Sequence, residues 1–125
     1  LGFSSGVDVL DQLPGYLDST YTYVAPLDLY RYSTASTALG IIDWTASTSD
    51  KYFSLNNGTT KIASFSTGTI HGDGSSPSHW KDALGLGAMD PTVATGELLN
   101  FTNLDLIAFD VIGWNLAAGL TNQVL

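Results

Sequence analysis

The stretch SSPSHWKDALGLGAMDPTV, residues 75–93, contains His79, one of two histidines in the chain, and the only methionine, Met89. Gly, Ser and Pro precede His79 and Trp80 follows it, which predicts a loop that ends at a buried aromatic side chain. A neutral imidazole is a common zinc ligand, but a lone histidine is more often a hydrogen-bonded structural residue. The same applies more strongly to His71, and Met89 by itself is best interpreted as a side chain that fills the core below a turn.

Length and composition predict one folded domain over residues 1–125, with residues 115–125 as a peripheral tail. The chain has 125 residues, of which 44% are hydrophobic, so it can bury a core but is too short for two independent domains. The net charge of −8 opposes nucleic-acid phosphates and anionic membrane surfaces. We therefore expect no nucleic-acid partner.

The absence of certain residue patterns also narrows the functional classes. There is no cysteine, which excludes disulfides and thiolate zinc sites. No stretch approaches the roughly 20 apolar residues of a membrane span. Aspartates dispersed among Gly, Ser, Thr and Asn are common in exported bacterial domains, so we expect an extracellular or cell-surface protein. The start, LGFSSGVDVL, has neither the basic region nor the apolar run of a signal peptide, and predicts the interior of a longer protein.

The first third of the chain predicts little regular structure. Residues 1–13 have apolar positions between acids, which suggests the end of a helix that runs into a loop closed at Pro14. Residues 16–33 alternate aromatic and polar side chains and favour extended segments. Arg31, the only arginine, is expected to form a structural ion pair with a nearby carboxylate such as Asp28.

A β-hairpin is predicted at about residues 51–65. Two alternating runs flank Asn57 and Gly58, a dipeptide that tolerates positive φ and suits a tight turn. Residues 67–77, TGTIHGDGSSP, are rich in Gly, Ser and Asp, so they are predicted to form a loop.

The clearest helix signal covers residues 103–112. Thr102 is a plausible N-cap with Asp105 at the third helical position, a variant of the capping box, and Gly113 lies where a C-terminal cap belongs. The apolar positions form one continuous stripe: Leu104, Ile107, Ala108, Val111 and Ile112. With the hairpin, this packed helix predicts an α+β fold with a loop-rich middle.

Four segments together resemble the C-terminal part of a leishmanolysin-like zinc metallopeptidase of the metzincin class, especially its exported bacterial relatives. They are LGF at residues 1–3, SHW at 78–80, AMDP at 88–91, and residues 101–114. In that family the zinc-binding helix carries His-Glu-x-x-His-x-x-Gly-Phe, and residues 1–3 match the positions that follow its second histidine. The resemblance thus implies the C-terminal subdomain of a peptidase, which begins just after this motif.

The resemblance also implies roles for individual residues. His79 corresponds to the third zinc ligand and Met89 to the methionine of the turn beneath the metal, with Gly2, Trp80 and Asp90 in supporting positions. The other two histidines and the general-base glutamate belong to the upstream half, so this chain contains no catalytic residue and should be inactive alone. Zinc is the cofactor of the complete protein, the substrate is a peptide or protein, and the upstream half is a partner. Without the upstream half, the apolar surface that would pack against it is exposed, and two copies of the chain could dimerise through it.

Two other functions are considered. A noncatalytic, β-rich extracellular module could bind carbohydrate or a surface protein through Trp44, Trp80 and the tyrosines, although scattered aromatic residues are more often core. Calcium binding by HGDGSS, residues 71–76, is a weaker hypothesis, because one aspartate falls far short of a calcium loop.

Overall fold

The fold combines short helices with one small antiparallel sheet, and the computed structural model describes it for residues 1–13 and 23–115. The elements are α1 (Val7–Gln12), a 3₁₀ helix (Pro26–Tyr30), β1 (Arg31–Tyr32), α2 (Thr34–Leu39), β2 (Lys51–Phe53), β3 (Ala63–Phe65) and α3 (Asn103–Val111). Long loops connect them. The predicted α+β class is confirmed, whereas Pro14 and most of the predicted tail lie outside the described residues.

The sheet contains the predicted hairpin. Its strand order is β1-β2-β3, all antiparallel, and the pairing of Lys51 with Phe65 sets the hairpin register. Asn57 and Gly58 have the positive φ values expected of them, 58° and 86°. The strands stop before this turn, however, because the hydroxyl of Ser54 accepts a hydrogen bond from the backbone of Gly58 at 3.0 Å and closes a wider loop.

The core is an aromatic cluster built around Trp80. This side chain is fully buried and stacks on Phe65 with 5.0 Å between ring centroids, while Phe3 meets it edge-on at 4.9 Å. Phe53 from β2 and Phe109 from α3 belong to the same cluster. An isolated antiparallel bridge between Phe65 and Trp80 joins the backbone after His79 to the sheet. The segment that contains His79 is thereby held by the core itself.

The predicted C-terminal helix is confirmed, but the face that it buries differs from the predicted apolar stripe. Thr102 and Asp105 form a reciprocal capping box, and Gly113 follows the helix with φ +110°. The buried positions are Asp105, Ala108 and Phe109, and the rest of the predicted stripe is only partly buried beside the core. The inward face is rotated from the apolar stripe because Asp105 makes buried hydrogen bonds with other segments.

The predicted order of structure in residues 1–13 is wrong. The chain begins without helical structure, and α1 starts only at Val7. A tertiary contact sets this start: the carboxylate of Asp28 accepts a hydrogen bond from the backbone N–H of Gly6 at 2.8 Å. The hydroxyl of Ser5 accepts another from Val7 at 3.1 Å.

The prediction of extended structure over residues 16–33 is also partly wrong. Residues 14–22 lie outside the described part of the chain, and Pro26–Tyr30 is a 3₁₀ helix, so only Arg31–Tyr32 is a strand. Proline at the first helical position has a suitable φ, and Asp28 accepts from the backbone N–H of Ala25 at 2.9 Å, which closes the turn. The predicted ion pair is confirmed, with 3.5 Å between Arg31 Nε and Asp28 Oδ1.

Candidate metal site around His79

His79 and Met89 meet across the loop that separates them. The backbone N–H of Trp80 donates to the carbonyl oxygen of Met89 at 3.0 Å, and Nδ1 of His79 lies 3.2 Å from the same oxygen. A carbonyl oxygen only accepts hydrogen bonds, so this contact requires the proton on Nδ1. In the neutral ring Nε2 then carries a free lone pair, and within the described residues it has no hydrogen-bond partner.

The segment around Met89 forms the predicted turn. Ala88 and Met89 are turn residues, and the side chain of Met89 is partly buried against the aromatic core. Asp90 is nearly buried and does not touch His79 through any hydrogen bond; its backbone N–H donates to Gly87, and its carboxylate accepts from the backbone of Thr92. Asp90 therefore shapes the turn, while Met89 contacts the core through its side chain and the imidazole of His79 through its carbonyl oxygen.

Two acidic residues of α1 hold the loop that leads to His79. The carboxylate of Asp8 accepts hydrogen bonds from the hydroxyls of Ser76 and Ser78. Asp11, almost fully buried, accepts from the backbone N–H of His71 at 2.8 Å and lies 3.1 Å from that ring's Nδ1. His71 is thus part of a structural contact with α1. Sequence reasoning missed both carboxylates, although their spacing places them one turn apart on a helix.

Arg31 holds the same loop from inside the protein. It is fully buried above the ring of Phe65 at 4.2 Å, and it donates to the carbonyl oxygens of Ser66 and Pro77. Burial lowers the pKa of Arg31, while the charge of Asp28 opposes that shift. Since a guanidinium stays protonated in proteins, the result is a buried structural charge.

The N-terminal segment lies beside the same core. Gly2 has φ +92°, in the left-handed region that favours glycine, and a Cβ there would be 3.4 Å from Ile112 at the end of α3. The indole N–H of Trp114 donates to the carbonyl oxygen of Leu1 at 2.6 Å. Phe3 contacts Trp80, so the N-terminal segment touches both the residue next to His79 and the segment that follows α3.

Of the predicted site residues, the structure joins His79, Trp80 and Met89, while Gly2 and Asp90 lie on the segments that flank them. In residues 1–13 and 23–115 there is no group of three His, Cys, Asp or Glu side chains that could hold a metal ion. The ring of His79 is suited to act as one ligand, since Nδ1 is bound and Nε2 is free. The described residues could therefore supply one ligand of a zinc site, but they do not form a complete site.

The predicted calcium segment forms a hydrogen-bonded turn. The carboxylate of Asp73 accepts from the backbone of Thr67 at 3.0 Å and from Lys81 Nζ at 3.1 Å. Burial raises the pKa of Asp73, but these hydrogen bonds outweigh it and leave the pKa below its usual value. The carboxylate of this segment is thus occupied by protein donors.

Within residues 1–13 and 23–115, the aromatic residues suggested for a binding module are not arranged as one exposed surface. Trp80 is fully buried, and Tyr32 and Tyr52 are nearly so. Trp44 lines an open groove of about 190 Å³ with the exposed apolar side chains of Leu39 and Ile41. Trp80 therefore cannot contribute to surface recognition.

Searches of protein families, curated proteins and solved structures found no match to this chain. No helix within residues 1–13 and 23–115 has the length and apolar character needed to cross a membrane.

Proposed function

We propose that this chain is the C-terminal part of a secreted zinc endopeptidase of the metzincin class and that His79 is its third zinc ligand. The observation that carries the proposal is the contact between His79 Nδ1 and the carbonyl oxygen of Met89. Histidines that bind metals almost always donate their second ring N–H to a carbonyl, carboxylate or water, which sets the tautomer and the ring orientation. His79 is half-buried and has this arrangement.

The role of Met89 in this proposal follows from its position. Its backbone oxygen orients the imidazole, and its side chain packs partly against the core beneath the loop. A thioether on an unbranched side chain is polarizable and adapts to irregular space, so it could fill the space below a metal site. Trp80 would serve as the fixed point from which His79 projects, because its indole is fully buried.

The remaining ligands and the general base would come from residues upstream of Leu1. Zinc bound by three histidines supplies a Lewis acid and a water of lowered pKa, which together suit the hydrolysis of a peptide bond. Within this chain, His79 would bind the metal, and the residues around it would hold its ring in place. The 125-residue chain alone is then expected to lack peptidase activity.

Exposed apolar side chains support an upstream partner segment. Leu1, Phe101 and Trp114 are respectively 80%, 62% and 48% exposed, and Trp114 touches Leu1 while Phe101 contacts Phe109. Exposed apolar side chains that lie close together, as Leu1 and Trp114 do, commonly mark an interface. The upstream half would cover them in the complete protein, and two isolated chains could cover them by dimerisation.

The test is zinc binding by calorimetry in an extended form of the protein, which begins upstream of Leu1 and includes the helix expected to carry the other ligands. We expect one tight site, weakened at least about 100-fold in His79→Ala, because one of three protein ligands is lost. His71→Ala is the matched control: it removes the other histidine of this chain, while the backbone N–H of residue 71 keeps its hydrogen bond to Asp11, so the affinity should be unchanged. Hydrolysis of an unstructured protein substrate should require zinc and should be absent in His79→Ala.

Equal zinc affinity in the extended protein and in His79→Ala would overturn the assignment of His79. A zinc site in the extended protein that shows no peptidase activity on unfolded substrates would overturn the peptidase proposal. In either case the extracellular binding module becomes the working hypothesis.

A further inference from the structure

Asp105 makes more hydrogen bonds than a helix cap requires. Its fully buried carboxylate accepts from the backbone N–H of Thr102 at 2.9 Å, which completes the capping box of α3. It also accepts from the indole N–H of Trp80 at 2.8 Å and from the backbone N–H of Ala88 at 2.8 Å. These two donors belong to a different segment, the loop between His79 and Met89.

The two extra hydrogen bonds hold both ends of that loop. Trp80 directly follows His79, and Ala88 directly precedes Met89. The loop is closed at the carbonyl oxygen of Met89, which both the backbone N–H of Trp80 and Nδ1 of His79 approach. Asp105 thus holds the residue next to the imidazole and the residue next to its hydrogen-bond acceptor.

Gly87 provides independent evidence that this close approach is built into the chain. A Cβ at position 87 would lie 2.3 Å from one carboxylate oxygen of Asp105 and 2.5 Å from the other. The φ angle of Gly87 is not in the left-handed region, so the requirement for glycine here is one of space. Without a side chain at this position, the carboxylate can reach the N–H of Ala88.

We propose that Asp105 is a positioning residue for His79: through Trp80 and Ala88 it fixes the Met89 carbonyl that keeps the imidazole in its Nδ1–H tautomer, with Nε2 available to a metal. The effect on the tautomer is independent of any metal. The effect on metal binding rests on the proposed function.

The first test measures the tautomer of His79 by ¹⁵N NMR in this chain without metal. Asp105→Asn is nearly isosteric, but its amide can accept through only one of its two terminal atoms. Either the indole N–H of Trp80 or the backbone N–H of Ala88 therefore loses its acceptor. We expect the Nδ1–H form to dominate in the original protein and a substantial Nε2–H population to appear in Asp105→Asn. Asp110→Asn, an exposed change on the same helix with the same charge difference, should leave the tautomer unaltered.

Trp80→Phe provides a second variant in case Asp105→Asn does not fold. It keeps an aromatic ring next to Phe65 and removes the indole N–H that Asp105 accepts, together with part of the buried ring system. A shift in the tautomer of His79 in either folded variant supports the proposal. Folded variants that retain the original tautomer overturn it.

The second test measures zinc affinity and the visible spectrum of the Co²⁺-substituted extended protein. Loss of a group that orients a metal ligand typically weakens binding about 10–100-fold, and we expect this loss in Asp105→Asn together with a changed Co²⁺ spectrum. If the unsubstituted extended protein binds no zinc, the proposed function fails while the tautomer result stands. If it binds zinc and Asp105→Asn matches it in affinity and spectrum, the role of Asp105 in the metal site is wrong.

Discussion

Replacing Asp28 by alanine should destabilise the protein more than almost any other single polar substitution. Asp28 is fully buried, pairs with Arg31, and accepts from the backbone N–H groups of Gly6 and Ala25. Its removal leaves a buried guanidinium without its carboxylate, which typically costs about 3–5 kcal/mol. The two backbone donors lose their acceptor as well, each at about 1–3 kcal/mol unless water reaches them.

These contributions overlap, so we expect a loss of about 4–5 kcal/mol in the free energy of unfolding. A chain of this length has a total stability of roughly 6–19 kcal/mol, so the substitution should remove between about a fifth and four fifths of it. Urea denaturation followed by tryptophan fluorescence measures the change. With an m-value near about 2 kcal/mol/M, the midpoint should fall by about 2 M.

Two further variants separate the buried charge from a general effect of losing an aspartate. Asp110→Ala removes an exposed carboxylate and should change stability by less than about 0.5 kcal/mol. Asp28→Ala combined with Arg31→Met should be more stable than Asp28→Ala alone, because it no longer contains an unpaired buried charge. A loss below about 1 kcal/mol in Asp28→Ala, with an unchanged m-value, would refute the reasoning.

The loop around Asp73 gives two more predictions. The pKa of Asp73 is lowered in the folded protein because the charged carboxylate is hydrogen-bonded to Thr67 and Lys81. These bonds add their full stability above the unfolded pKa near 3.8, and that stability is lost as the pH falls through the lower folded pKa. Asp73→Asn should therefore lower the thermal midpoint at neutral pH, and its difference from the original protein should shrink as the pH falls below 3.8; an equal effect at neutral and acid pH would contradict this. Gly72→Ala places a Cβ 2.3 Å from the carbonyl carbon of Thr67 and should cost about 3 kcal/mol. Gly74→Ala meets nothing within 4 Å and should cost only the strain of its φ of +95°, about 1–2 kcal/mol, so equal losses in urea denaturation would contradict the steric argument.

Local patterns predicted the elements whose hydrogen bonds close within a few residues. The capping box of Thr102 and Asp105 predicted the start of α3, and the Asn57-Gly58 pair predicted the turn of the hairpin. Both signals act through backbone φ preferences and side-chain contacts over three or four positions, so they need no knowledge of the rest of the chain. The contact between Asp28 and Arg31 was predictable for the same reason.

The elements that sequence reasoning missed depend on contacts between distant residues. The start of α1 is set by Asp28, which is 22 residues away from Gly6. The inward face of α3 includes a carboxylate because Asp105 binds Trp80, 25 residues away. No periodic pattern identifies such a partner, since an aspartate on a helix normally faces water and becomes buried only where specific donors surround it.

The candidate site divides in the same way. The sequence alone determined that His79 and Met89 lie in one polar segment, that no thiolate can bind a metal, and that a glycine stands at position 87. Only the tertiary structure decided that Nδ1 of His79 meets the carbonyl oxygen of Met89 and that Asp105 holds both ends of the loop between them. The physical reason is that sequence patterns report backbone preferences over a few residues, whereas the orientation of an imidazole depends on buried donors and acceptors from segments that meet only when the core forms.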